Sequence, residues 1–167
     1  MSVYIYPKNF SRHELLASET AERLGIENTP DNAQVEKNLV NLAYTLQEIK
    51  DRMQKHFKRN VYLVISSGYR SPNLNKAIGS TSKRSAHLYG LAADFKATTL
   101  TPKQVLEFID THCKDLVFDQ LIEEFGRWVH IGIIKPNTNE TRRMFLMARR
   151  NSVNKVYYSF PDYLVAE

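Results

Sequence analysis

The sequence predicts an α+β domain built on an antiparallel sheet, and three observations predict it. Apolar residues first recur at helical spacing. Later they fall into short β-branched and aromatic runs. Those runs lie mostly in a row with one helix among them, an order that disfavours the alternating strands and helices of a parallel fold.

The elements follow in chain order. "FSRHELLAS" places Ser11 three residues before Glu14, the spacing of a capping box at the start of a short helix. "SETAERLG" reads as a second short helix closed by Gly25. A long helix starts near Pro30, and Val35, Leu39, Leu42, Leu46, Ile49 and Met53 mark its buried face at three- and four-residue spacing. "VYLVIS" is a strand, the polar loop "SGYRSPNLN" follows it, and Pro72 opens a short helix. "GLAADFKA" suits a second strand, and Thr101-Pro102 caps a helix through "KQVLEFIDTH". "FDQLIEEF" and "RWVHIGII" are two strands joined by a tight turn at Gly126. From Thr141 the chain turns basic ("TRRMFLMARR") and then aromatic ("VYYSFPDYLVAE"), a tail that either packs on the domain or offers a partner surface.

At 167 residues the chain suits one domain, placed at residues 1–150, with 151–167 as the aromatic tail. No apolar run is long enough for a transmembrane helix, and the N-terminus lacks the pattern of a secretory signal. Synthesis in the cytoplasm is therefore expected, and no membrane partner. One cysteine, Cys113, excludes an internal disulfide and is read as a small apolar residue near a helix end. The net charge of +5 suits nucleic acid, an anionic membrane or an anionic wall without choosing among them.

The chemistry centres on "SAHLYGLAADF", where His87 and Asp94 flank a compact spacer. A reversal near Gly90 would aim both at one point, and Ala92 and Ala93 leave room for close packing behind. A catalytic zinc site needs three N, O or S ligands and one open position. His130, in the apolar strand "WVHIG", is the candidate third ligand. Alone, each residue also has a plain structural reading, since a strand histidine is commonly a hydrogen-bonded core residue. His13, His56 and His112 sit in polar helical contexts and read as surface.

"SSGYRSPNLNKAIGS", "SAHLYGLAADF" and "FDQLIEEFGRWVHI", in that order and at those separations, resemble the zinc D-Ala-D-Ala peptidase family in its compact, phage-type form. With the opening "FSRHELLASETAERLGIENTP", the resemblance spans about residues 8 to 150. It implies the fold shared with the Hedgehog signalling domain, an antiparallel sheet carrying the metal with helices packed to one side. It implies one zinc ion on His87, Asp94 and His130, with zinc-bound water as the nucleophile. It also implies that Arg70 holds a substrate carboxylate, a task suited to the planar guanidinium.

The proton-shuttling carboxylate departs from better-known relatives, whose glutamate lies three residues before the last ligand. That position is Arg127 here. Glu124 matches the phage-type pattern and is preferred over Glu123, and strand alternation sends the two to opposite faces. Ser85, Tyr69 and Trp128 are expected to line the substrate pocket; Ala86 stands where relatives often carry glutamine.

The resemblance thus implies a metallopeptidase acting on peptidoglycan stem peptides, either a D-Ala-D-Ala carboxypeptidase or a cross-link endopeptidase. It would be a monomer without nucleic-acid partners, acting on the cell wall from an infected host or from a phage particle. Two other readings stay open: a non-catalytic wall-binding or phage structural module that keeps the fold, and nucleic-acid binding through the basic tail.

Overall fold

The computed structural model describes residues 3–164. Its secondary structure runs α1 (Arg12–Leu16), α2 (Glu19–Leu24), α3 (Ala33–Phe57), β1 (Leu63–Ser67), α4 (Pro72–Ala77), β2 (Ala92–Ala97), α5 (Pro102–His112), β3 (Gln120–Glu124), β4 (Trp128–Gly132), β5 (Met144–Arg150) and β6 (Val156–Ser159). Short 3-10 turns cover Ala86–Tyr89 and Asp162–Leu164.

Local chemistry sets the helix ends. The Ser11 hydroxyl accepts the Glu14 N–H at the head of α1, and a full reciprocal capping box forms at Thr101 and Gln104 on α5. Gly25 closes α2 in the left-handed region at φ 64°. The long helix starts at Ala33, later than the proline suggests, because the Asn32 side chain caps it by accepting the Val35 N–H. The predicted stripe from Val35 to Met53 is fully buried.

The six strands form one sheet in the order β1-β2-β4-β3-β5-β6. Expected as antiparallel throughout, the sheet is mixed, since β3 and β5 run parallel. Topology explains the exception. Gly132 and Met144 both lie level with Gln120, so the chain leaving β4 starts β5 at the same end of the sheet. The place beside β4 is taken by β2, so β5 crosses to the free edge of β3 and must run parallel to it. The segment 156–159, part of the predicted tail, pairs antiparallel with β5 as an edge strand.

Helices and apolar strand residues make one core. Leu39, Leu42, Leu46 and Ile49 of α3 and Val105 and Ile109 of α5 join Phe95, Leu121, Val129 and Ile131 from one face of the sheet. Cys113 is buried in the same cluster. Alternation sends Asp94, Ile122, Glu124 and His130 to the opposite face, away from the helices. Among the described residues no helix is long and apolar enough to cross a membrane.

Candidate metal centre

The central strands deliver the first two donors. Asp94 on β2 lies directly opposite His130 on β4, and His130 Nδ1 stands 2.8 Å from Asp94 Oδ1. The third donor comes from the 3-10 turn Ala86–Tyr89, which Gly90 ends at φ 65°. A side chain at Gly90 would press on Val35 and Leu39 of α3, so glycine serves both the reversal and the close approach. The turn carries His87 Nε2 to 3.3 Å from Asp94 Oδ1 and 3.3 Å from His130 Nδ1.

These separations test the metal reading. Ligands at about 2.0–2.1 Å from a tetrahedral ion stand ~3.3 Å from one another. The two separations from His87 Nε2 match that value, while His130 and Asp94 stand closer, at hydrogen-bond distance, and would open slightly around an ion; the donor types are those zinc accepts. Behind them, the Gly68 carbonyl accepts the His87 Nδ1–H at 2.6 Å, which leaves Nε2 unprotonated and facing the other donors. Arg70 donates from Nη2 to Asp94 Oδ2 at 2.9 Å and from Nε to the Ser67 hydroxyl at 3.0 Å. One Asp94 oxygen thus faces the histidines while the other is held by the arginine.

The electrostatics agree with a cation site. Burial alone would raise the Asp94 carboxyl, but His87 and His130 outweigh it and hold it well below the usual range. Burial pushes the His87 imidazole down, favouring its neutral form. Burial also works against protonation of His130, yet the hydrogen bond to Asp94 and its charge leave that imidazole raised. The Glu124 carboxyl is pushed up chiefly by burial, with His130 opposing and Asp94 adding to the shift.

A cleft of about 720 Å³ opens over the donors, lined by Arg70, Ser85, His87, Asp94, Glu124 and His130 among others. Glu123 is not among its lining residues. It is buried, pairs with Arg149 at 2.6 Å and accepts the Gly126 N–H. Arg127, at the glutamate position of other relatives, is exposed on the β3–β4 turn. Two of the expected pocket residues are not among the cleft's lining residues. Tyr69 is drawn into the core, where its N–H donates to the Leu15 carbonyl at 2.8 Å. Trp128 lies opposite Glu124 at the turn end of the hairpin and packs edge-on against Phe125.

The cleft also contains groups the sequence reading did not single out. Asp119 is buried and takes a two-point hydrogen bond from Arg142 at 2.6 and 2.8 Å, pinning the segment that crosses from β4 to β5. Gln120, Ile122 and Tyr158 complete that side. Gly68 and Ser67 lie inside the quoted "SSGYRSP" motif, which is the one signal that could have pointed to them. Asp119 and Tyr158 carry no such signal.

A family model described as peptidase M15 matches residues 8–132, well over half of the chain. The chain belongs to the peptidase M15 family. M15 members are zinc-dependent, in keeping with the donor set found here. The match spans all three donors and Glu124, and it ends at the last residue of β4. A search of curated proteins returned no match to this M15 chain.

Proposed function

We propose that this chain is a zinc metallopeptidase that hydrolyses an amide bond in peptidoglycan stem peptides, as a D-Ala-D-Ala carboxypeptidase or a cross-link endopeptidase. One observation carries the reading: three donors close enough to share one ion open onto a cleft that a half-buried carboxylate, Glu124 on the next strand, also lines. A zinc ion held by His87, Asp94 and His130 would acidify water and polarise a carbonyl.

The rest is the work of the chain's own side chains. Glu124 takes a proton as the nucleophile forms and passes it to the leaving amine, a role suited to a carboxyl that burial has pushed above its ordinary range. Arg70 holds Asp94 in place with one side of its guanidinium and offers its remaining N–H groups to a substrate carboxylate. Ser85 on the cleft wall offers a hydroxyl to the peptide. The net charge of +5 favours approach to an anionic wall.

The test is to incubate zinc-loaded protein with peptidoglycan fragments, with and without chelator, and weigh the products by mass spectrometry. Loss of one alanine identifies a carboxypeptidase, and splitting of cross-linked dimers an endopeptidase. Chelator and His87→Ala should each abolish the reaction. Zinc-loaded protein that leaves every fragment intact overturns the proposal.

A further inference from the structure

Beyond Gly132, where the family match ends, the chain adds β5 and β6 to the free edge of β3. The register of these strands aligns four residues in one row across the sheet. Trp128 lies opposite Glu124, Glu124 beside Ala148, and Ala148 opposite Tyr158. Neighbours in such a row project from the same face, so Tyr158 shares the face that bears the donor cluster. Ala148 between them is fully buried and carries only a methyl group, while Glu124 and Tyr158 on either side of it both line the cleft.

Tyr158 lines that cleft while remaining 57% exposed. Burial of part of the ring and the charge of Glu124 both keep the phenol protonated, which preserves it as a donor. Its neighbour Tyr157 lies opposite Arg149, on the other face, and does not line the cleft.

We propose that Tyr158 is a substrate-contacting residue, its hydroxyl donating a hydrogen bond to peptide bound on the Glu124 side of the cleft. This rests on the peptidase reading above. A neutral phenol can orient a carbonyl or carboxylate there without adding charge beside Glu124, and its ring gives apolar area for small side chains.

The experiment compares zinc-loaded wild type, Tyr158→Phe, Tyr158→Ala and Tyr157→Phe on one purified stem-peptide fragment. It records kcat, KM, bound zinc and melting temperature. Loss of one neutral hydrogen bond predicts a fall in kcat/KM of about three- to tenfold for Tyr158→Phe. Tyr158→Ala should fall at least as far, Tyr157→Phe should match wild type, and zinc content and melting temperature should not move. Wild-type kcat/KM in Tyr158→Phe overturns the contact. If the wild type cleaves nothing, the peptidase reading fails, and fragment affinity decides the contact instead. Weaker binding by Tyr158→Phe supports it, while equal binding, or none by either protein, overturns it.

Discussion

Gly68→Ala should damage stability and the metal site together. Gly68 has ordinary φ, so the constraint at this position is space. A Cβ built there would collide with the carbonyl oxygen of Leu15 and stand 3.0 Å from that residue's Cα and carbonyl carbon. All of these are backbone atoms, so no flexible side chain can yield. Relief requires α1 and the end of β1 to separate, which strains the Tyr69 N–H bond to the same Leu15 carbonyl. Overpacking costs about 1–3 kcal/mol, and loss of the hydrogen bond about 1 kcal/mol more. A total of about 2–4 kcal/mol is expected in urea unfolding of the metal-free protein. The same shift moves the Gly68 carbonyl off His87 Nδ1. Loss of that support should weaken zinc binding about 10- to 100-fold in a chelator competition. An unchanged urea midpoint would refute the packing argument. A lowered midpoint with unchanged zinc affinity would show that Gly68 does not orient His87.

Three further outcomes are expected. Glu124→Gln should lower turnover of a stem-peptide substrate by about 10²–10⁴, while Glu123→Gln retains turnover but lowers the urea midpoint, because Arg149 loses its buried partner; the reverse order of activities would reassign the base. Zinc at about 100-fold above its dissociation constant should add roughly 2.7 kcal/mol of stability. Scanning calorimetry would read this as a raised melting temperature, and His87→Ala should abolish it. Alkali should also destabilise the protein through Tyr6, whose phenol burial and the nearby Glu36 push up to about 12 from 10.0. The unfolded chain therefore loses this proton first, so the contribution is full below about pH 10 and is lost as pH rises towards 12. Urea midpoints across that range should fall less steeply in Tyr6→Phe.

Much of this molecule is written in local sequence. Caps at Ser11 and Thr101, the stop at Gly25 and the buried stripe of α3 depend on neighbours a few residues apart, so they could be read before any fold was known. His87, Asp94 and His130 could be named because the words around them resemble a family, and alternation alone separates Glu123 from Glu124. What escaped the sequence depends on contacts between distant segments. The parallel pairing of β5 with β3 follows from which edge was vacant once β2 had taken its place beside β4. The Gly68 carbonyl meets His87 because the loop after β1 packs on the distant 3-10 turn, where the Arg70 N–H also donates to the His87 carbonyl.

Tyr69 and Tyr158 make the same point from opposite sides. One stands inside a motif yet turns into the core, and the other stands in a tail with no motif yet reaches the cleft. By itself the sequence determined the helices and most of the strands, because propensity, capping and side-chain period act over a few positions; the donor residues were named only through a family resemblance. Only the tertiary structure decided which faces meet, which carbonyl supports which ligand and which aromatic ring borders the site. Those outcomes depend on strand order and close approach, and no short stretch of chain encodes either.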